Sequence, residues 1–291
     1  MSTQLEKLTA HGADYRDPVA AIDWDQEDGN LPWLPPEMLS LSAGDLGVPE
    51  RSKLIQRLSQ AEFSRLCAAG IWLEGLLISR LSAKGFLELP AEETRIILQE
   101  IREETGHSLM FLTMIERAGL QKTRLLGPTR LLTWVAQRLS PDHAAFWAMV
   151  YIGETVTDTY ARLCLKRAQD DGQEISLVAS DVLSLHHKDE ARHIAAARAL
   201  LASRIEKMGL IERFVFSRTL KFLLRGFLKA TLYPTAESLE RAGIPRPSEM
   251  AAHAARCPRR AELARQCAVP ALTLLGRTAE LARFGVADIR P

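Results

Sequence analysis

The sequence is poor in cysteine, in aromatic residues and in net charge. Its four cysteines contain no C-x-x-C pair, so we expect buried apolar thiols in a reducing compartment rather than disulfides or a zinc site. Lys and Arg total 37 against 36 for Asp and Glu, which argues against general nucleic-acid binding, because that function usually leaves a basic excess. Aromatic residues make up 6%, whereas Leu, Ala, Arg and Glu recur throughout and favour helices.

Long apolar segments are also absent. The longest uncharged apolar run, residues 144–153, is well short of the roughly 20 residues that a membrane-spanning helix needs. The first 30 residues are acidic and polar and lack the apolar core of a signal peptide. We therefore expect a cytoplasmic protein without a membrane span. A hydrophobic content of 47% and a charged content of 25% are typical of a globular protein.

The chain divides into an irregular first part and a helical remainder. Residues 1–50 hold five prolines and are predicted to form an irregular arm that packs on the body. Residues 51–291 show helical periodicity without strand alternation and are predicted to form a single helical domain. The predicted fold class is therefore all-α. Helices are expected at about 60–83, 90–119, 129–139, 141–169, 174–207, 210–232 and 258–283.

Two of these helices carry clustered metal-ligand residues. Glu104 and His107 form an E-x-x-H motif, and His186, Glu190 and His193 form H-x-x-x-E-x-x-H. At about 100° per residue, positions 186, 190 and 193 fall within roughly 60° of one another. Positions 104 and 107 are one turn apart. On each of the two helices the possible ligand side chains therefore lie on one face.

Two further glutamates lie in apolar helical segments. Glu74 is within IWLEGLLI, residues 71–78, and Glu154 is within VYIGETV, residues 150–156. A charge in such a segment is costly unless it is paired or ligated. Together with the two motifs, these residues follow the order of ferritin-like di-iron proteins, in which single Glu residues of two helices join Glu-x-x-His motifs of two others. The sequence predicts a ferritin-like four-helix bundle with additional peripheral helices and two bound iron ions. The four negative charges of the glutamates would balance the four positive charges of two Fe²⁺ ions.

Other acidic and histidine residues receive ordinary interpretations. Glu62 is assigned to a capping box that begins at Ser59, and Glu103 to an exposed helix face. His187 lies about 100° from the ligand face and is expected at the surface or behind the ligands. A lone E-x-x-H is common on solvated helices. Four sets on four helices in the ferritin-like order are what indicate a metal.

The same residues resemble those of the di-iron arylamine N-oxygenases, typified by the p-aminobenzoate N-oxygenase of antibiotic pathways. The specific marks are the DEARH segment 189–193 and a third histidine, His186, which matches the family's seventh ligand, where most ferritin-like enzymes have six. The segment LPPEMLSL, residues 34–41, is similar to the family's N-terminal lead-in. The resemblance covers about residues 30–235.

The resemblance implies a ligand set and a reaction. One iron would be held mainly by Glu74, Glu104 and His107, and the second iron and the bridges by Glu154, His186, Glu190 and His193. No catalytic residue beyond the metal ligands is predicted. Dioxygen would be the co-substrate of the Fe²⁺/Fe³⁺ site. Electrons would come from an external donor protein or reductant, since nothing in the sequence resembles a flavin or nicotinamide fold. An amine would be oxidised to a hydroxylamine, and onward to nitroso or nitro, in a natural-product pathway.

Several alternatives stay open. The small-molecule amine could be aromatic, aliphatic or an amino acid, free or tethered to a carrier protein, and the chain could form a homodimer. Another ferritin-like di-iron oxygenase or desaturase acting on C–H bonds is the main alternative, and an iron-binding protein without catalysis is the second. A radical-generating ribonucleotide reductase subunit is disfavoured, because Phe111 stands four residues after His107, where that class would carry its tyrosine.

Glycines adjoin predicted ligands on three helices, at positions 75, 106 and 153. Each costs about 1 kcal/mol relative to alanine in a helix interior. They could clear space for dioxygen and substrate or permit a local π-bulge, or they could allow close helix packing.

The helix expected at 210–232 carries a basic stripe of residues spaced three or four apart, Arg218, Lys221, Arg225 and Lys229. Its opposite side is predicted to carry Val215, Phe216, Phe222, Leu223 and Phe227. Such a stripe is usually an ordinary solvated face. The alternatives are a docking surface for an acidic carrier protein, which we favour, and a membrane-surface helix, for which a second anchoring signal is lacking.

Overall fold

The described part of the chain consists of α-helices, short 3₁₀ turns and connecting loops. The computed structural model describes residues 15–83, 87, 91–120, 129–170, 172 and 174–279, and these ranges contain no β-strand. The helices in chain order are α1 (Pro18–Ala21), α2 (Ala43–Leu46), α3 (Lys53–Ser82), α4 (Ala91–Ala118), α5 (Arg130–Ala136), α6 (Ala144–Asp170), α7 (Leu177–Ile205), α8 (Leu210–Leu232), α9 (Ala236–Arg241), α10 (Pro247–Arg256) and α11 (Pro258–Ala279). The prediction of an all-α fold is confirmed.

Four long helices form the centre of the fold. Helix α3 packs along α4, and α6 packs along α7. Each pair is joined by a short connection, so its helices run antiparallel. The pairs meet where α3 contacts α6 and α4 contacts α7, while α8 and α11 pack on the outside of α6. This is the ferritin-like bundle with peripheral helices that the order of the motifs predicts.

The segment before α3 is buried against the bundle. Trp33 and Met38 are at most 1% exposed. The Trp33 backbone N–H donates to Ser59 Oγ at 3.0 Å, and the Trp33 ring packs edge-to-face on Phe63 with centroids 5.8 Å apart. These contacts cover one end of the bundle. The division of the chain at residue 50 stays a prediction, and residues 1–14 lie outside the described ranges.

Helix α3 begins earlier than the sequence pattern predicts. It starts at Lys53 rather than near residue 60, because Ser52 caps it by accepting a hydrogen bond from the Ile55 N–H at 3.3 Å. Ser59, the predicted cap, lies inside the helix, where its hydroxyl bonds the arm and the Gln56 carbonyl. A capping-box pattern can therefore occur within a helix when an earlier serine already satisfies the first turn.

Glu62 forms a buried ion pair, so the capping role predicted for it is wrong. Glu62 is 5% exposed, and its Oε2 lies 2.8 Å from the guanidinium of Arg260, which is 3% exposed. The same carboxylate accepts the Ser40 N–H at 3.0 Å. Arg260 also donates to the carbonyls of Met38 and Leu232. This cluster ties the arm, α3, the end of α8 and α11 together.

Helix α8 presents its basic stripe to solvent, but the predicted division of its apolar residues is partly wrong. Phe216 and Phe227 are buried as expected, whereas Val215 is 55% exposed and Phe222 is 38% exposed. At 100° per residue, positions 215 and 222 fall on the same side as Arg218, not opposite it. The exposed face of α8 is therefore both basic and apolar.

The other helix boundaries lie within a few residues of the predicted ones. Helix α6 starts at Ala144, after a turn at 140–143, rather than at 141. Pro90 and residues 280–283, predicted to belong to helices, lie outside the described ranges. No helix in those ranges has the length and apolar character required to cross a membrane.

We expect replacement of Arg260 by Met to lower the free energy of unfolding by about 3–5 kcal/mol, because Glu62 would stay buried without its partner. Urea unfolding followed by circular dichroism measures this. The matched control is Arg265→Met, which removes an exposed pair with Glu262 on the same helix and should change stability little. Equal losses in the two variants would contradict a structural role for the buried pair.

Candidate metal centre

The seven predicted ligand side chains meet at the centre of the four long helices. Helix α3 supplies one residue, α4 two, α6 one and α7 three. All seven are at most 5% exposed: Glu74, Glu104, His107, Glu154, His186, Glu190 and His193. The spacings of three and four residues along α4 and α7 align their members on one face of each helix.

Two carboxylates lie between two imidazoles. The Nδ1 atom of His193 is 3.1 Å from Glu104 Oε1 and 3.5 Å from Glu190 Oε2. The Nδ1 atom of His107 is 3.5 Å from Glu190 Oε1 and 3.8 Å from Glu104 Oε2. Glu104 and Glu190 are therefore central to the cluster and each approaches both histidines.

His186 belongs to the same cluster, whereas its neighbour His187 does not. The Nε2 atom of His186 is 3.0 Å from Glu190 Oε1. The His187 side chain is 41% exposed and contacts Asp158. One residue of helical rotation thus separates a buried histidine at the cluster from an outer one.

Three sets of donor atoms each lie within 4.8 Å of one another, which is close enough to surround a metal ion. The sets are Glu74, His107 and His186; Glu104, His107 and His193; and Glu154, His186 and Glu190. Because the sets share His107 and His186, they form one continuous group of possible metal ligands. Mixed carboxylate and imidazole donors suit iron or manganese.

The cluster leaves buried polar atoms without hydrogen bonds. These atoms are Glu74 Oε1, both oxygens of Glu104, His107 Nδ1, Glu154 Oε1, both oxygens of Glu190 and His193 Nδ1. Buried polar atoms are normally satisfied, and leaving charged ones unpaired is costly. All of these atoms are possible metal ligands, so this donor set fits a pair of cations at this position.

The outer nitrogens of two histidines are held by carboxylates. His107 Nε2 is 3.3 Å from Asp189 Oδ2, and His193 Nε2 is 3.2 Å from Glu103 Oε2. Arg192 in turn lies 2.9 Å from Glu103. A proton on each Nε2 leaves the Nδ1 lone pair free to face the cluster, the arrangement that orients histidine ligands in metal sites.

Glu103 was assigned to an exposed helix face from the sequence, and this assignment is wrong. Glu103 is 3% exposed, because α7 covers it with Arg192 and His193. The position of Glu103 beside Glu104 in the sequence did not indicate that it would be buried, since its contacts with Arg192 and His193 depend on the packing of α7. Asp189, which precedes Glu190, was likewise not identified as a partner of His107.

Without metal, the cluster carries perturbed protonation equilibria. Burial raises the pKa of Glu74 well above its ordinary value, and the charge of Glu104 adds to the effect. Burial and Glu190 do the same to Glu154. Burial would also raise the pKa of Glu190, but nearby imidazoles, foremost His186, hold it well below the ordinary range.

The buried imidazoles are shifted toward their charged form. Burial alone would lower the pKa of His107, but the surrounding carboxylates, foremost Asp189 and Glu104, outweigh burial and raise the pKa to about 10. For His193 burial also opposes the charge, and the carboxylates, led by Glu104, raise the pKa well above its usual value. Protons therefore occupy this cluster when metal does not.

The glycines beside the ligands serve packing at two of three positions. A Cβ at Gly153 would overlap the side chain of Leu73, so this glycine lets α6 approach α3. A Cβ at Gly106 would overlap the hydroxyl of Tyr15 on the arm. Nothing lies near a Cβ at Gly75. These contacts favour close packing over cleared space for substrate.

Comparison with protein families decides the classification of the chain. A family model described as p-aminobenzoate N-oxygenase AurF matches residues 2–278. The chain belongs to this family. The predicted relationship to the di-iron arylamine N-oxygenases is thereby confirmed, and it extends beyond residues 30–235 to include α9, α10 and α11.

Two mycobacterial proteins are similar to the chain over most of its length. Uncharacterized proteins of Mycobacterium bovis and Mycobacterium tuberculosis are each 26% identical to it over 239 residues. Each match covers 79% of this chain and 68% of the relative. Neither description names a substrate.

We expect opposite effects from alanine at two of the glycines. Gly153→Ala should lower the free energy of unfolding by about 1–3 kcal/mol, because its Cβ must displace Leu73. Gly75→Ala, at an open position, should raise it by about 0.5–1 kcal/mol. Chemical denaturation of the metal-loaded proteins measures both. Similar effects at both positions would refute the packing role of Gly153.

The metal-free protein should lose stability as the pH rises from 6.5 toward about 10. A pKa raised in the folded state contributes stability below the unfolded value, here 6.5 for His107, and this contribution is lost as the pH rises through the folded value of about 10. His193 has the same sign. The lowered pKa of Glu190 stabilises the folded state by a constant amount across this range, so it does not change the slope of stability against pH. Urea unfolding at several pH values measures the slope.

His107→Gln should reduce this slope, whereas His143→Gln, at an exposed histidine, should not. Bound metal replaces the protons, so the metal-loaded protein should show a flatter profile. A metal-free protein that becomes more stable across the same range would contradict the shifts.

Proposed function

We propose that this protein is a di-iron, dioxygen-dependent amine N-oxygenase. The observation that carries the proposal is the set of buried carboxylate and imidazole atoms without hydrogen bonds at the centre of the bundle, in a chain of the p-aminobenzoate N-oxygenase AurF family. In the proposed reaction an amine, dioxygen, two electrons and two protons give a hydroxylamine and water. Further oxidation would give nitroso and nitro products. The electrons come from an external donor.

All seven clustered residues are proposed as the iron ligands. The central position of Glu104 and Glu190, each near two histidines, suits them to bridging. Iron bound there would supply the two-electron reduction of dioxygen. His186 is proposed as the seventh ligand because its Nε2 approaches Glu190.

The protein's own contribution is to hold these groups and to exclude water. Asp189 and Glu103 fix the His107 and His193 rings with their Nδ1 atoms inward. Arg192 neutralises the carboxylate of Glu103 and so holds this support in place. The burial of the whole cluster keeps bulk water from competing with the amine for the oxidant.

Product analysis separates this function from its alternatives. We expect the iron-reconstituted protein, given dioxygen, a chemical reductant and a panel of amines, to form hydroxylamine, nitroso or nitro products detectable by mass spectrometry. Glu104→Ala and His193→Ala should lose both iron and product, because each removes a ligand and leaves buried charge uncompensated. Iron per chain is measured by atomic emission, and thermal stability should fall with it.

His187→Ala is the matched control, since His187 lies in the same helix but off the cluster. It should keep iron and activity. Oxidation at carbon instead of nitrogen would replace this proposal with a C–H oxygenase, and iron without any oxidation would indicate a binding protein. Full iron content in Glu104→Ala and His193→Ala would refute the ligand assignment.

We further propose that the substrate amine is presented by an acidic carrier protein that docks on α8. Arg218 and Lys229 are exposed on the same face as Phe214, which is 61% exposed. The face combines positive charge with apolar area, as protein interfaces with acidic partners do. An acidic carrier would be steered to this face even though the whole chain has a net charge of only +1.

Charge reversal tests the carrier proposal. Arg218→Glu with Lys229→Glu should slow turnover of a carrier-tethered amine and leave turnover of the free amine unchanged, and added salt should have the same selective effect. The control is Arg256→Glu with Lys53→Glu, an equal charge change at exposed residues of α10 and α3. An unchanged ratio of tethered to free turnover would mean that the basic face is ordinary surface.

A further inference from the structure

An apolar cavity lies inside the bundle beside the metal cluster. All four long helices line it, and among the described residues its walls include Leu66 of α3, Phe111 of α4, Ala161 of α6 and Val182 of α7. His186 lines it as well, so the cavity and the cluster share a side chain. The cavity therefore lies against the side of the cluster that His186 forms.

The cavity is small and offers little to water. Its volume of about 10 Å³ is room for one small molecule. A buried water needs two to four polar partners. The Thr157 hydroxyl that borders the cavity already donates to the Gly153 carbonyl at 3.0 Å, and His186 Nε2 is directed at Glu190. Burial raises the pKa of the Cys67 thiol well above its ordinary value, with Glu74 adding to the effect, so this thiol stays neutral. An apolar space of this kind stays dry.

The packing of Phe111 between His186 and Gly70 defines one wall of the cavity. The Phe111 ring lies with its centroid 4.9 Å from that of His186. Gly70 makes room for this ring, since a Cβ at position 70 would lie 2.5 Å from Phe111 Cε2. The ring thus forms a wall shared by the cavity and His186, held there by a glycine whose side-chain space it occupies.

We propose that this cavity is a binding site for dioxygen, which collects there before it reaches the metal cluster. Dioxygen is apolar and contains only two atoms, so it suits a small cavity with an apolar lining. An amine substrate is too large for the same space and must approach the cluster from another side. That dioxygen is consumed rests on the proposed function; that an apolar diatomic gas binds in the cavity rests on its size and lining alone.

Methyl NMR of the full-length, zinc-substituted protein under oxygen pressure tests the binding directly. Paramagnetic dioxygen should shift and broaden the methyl signals of Leu66, Val182 and Leu183, which line the cavity, more than those of Leu220 and Leu228, which are equally buried in α8. Argon at the same pressure is diamagnetic and should cause no such broadening of any of these signals. Equal effects on both groups of methyls, or cross-peaks from a resident water to the cavity methyls, would overturn the proposal.

Filling the cavity tests its role. Ala161→Val should reduce the oxygen effect on these methyls and should lower the second-order rate constant for oxidation of the reduced iron protein by dioxygen about tenfold, equivalent to about 1.4 kcal/mol. Ala148→Val is the matched control, because Ala148 is equally buried in α6 but does not line the cavity. If Ala161→Val does not fold, Val182→Ile fills the same space from α7.

The outcomes separate this inference from the proposed function. Filled variants that react with dioxygen as fast as the control and show the same methyl effects would overturn the dioxygen site. Oxygen binding in the cavity of a protein that oxidises no amine would leave the site standing and overturn the N-oxygenase function.

Discussion

Four carboxylates and three imidazoles are buried together at the centre of the helical bundle, and the surrounding structure positions them and supports them. Without opposing charge, Glu74 and Glu154 are driven toward their protonated forms and His107 toward its charged form. Helices α4 and α7 each bring their candidate ligands to one face at a spacing of three or four residues, and the packing of the four helices brings those faces together with Glu74 of α3 and Glu154 of α6. The support from Asp189 and Glu103 then orients two rings. Such a cluster is able to hold metal, as the proposed function requires.

A second buried polar cluster has a structural role and contrasts with the candidate metal cluster. The Glu62 carboxylate and the Arg260 guanidinium neutralise each other, and both are further bonded to the Ser40 N–H or to backbone carbonyls. Such a satisfied pair holds the arm and α11 on the bundle. The metal cluster differs because many of its inward-facing carboxylate and imidazole atoms make no hydrogen bond. This concentration of ligand atoms without hydrogen bonds at one place distinguishes the candidate site from the structural ion pair.

Much of the fold and the candidate ligands could be predicted from local patterns, because helical periodicity and i, i+3 and i, i+4 spacing are properties of single helices. What could not be predicted depends on contacts between helices distant in the sequence. Glu103 looks like a surface residue until α7 covers it, and Glu62 meets Arg260 only after the last helix returns to α3. The misplacement of Val215 and Phe222 had a different cause: helix geometry already puts them on the basic side of α8.

The central claim is that the seven clustered side chains hold two iron ions. An X-ray anomalous difference map of iron-loaded crystals, recorded at the iron absorption edge, tests it most directly. The account predicts two peaks inside the cluster, with Glu104 and Glu190 in contact with both ions and His186 bound through Nε2. A single peak, or iron located only outside these residues, would contradict it.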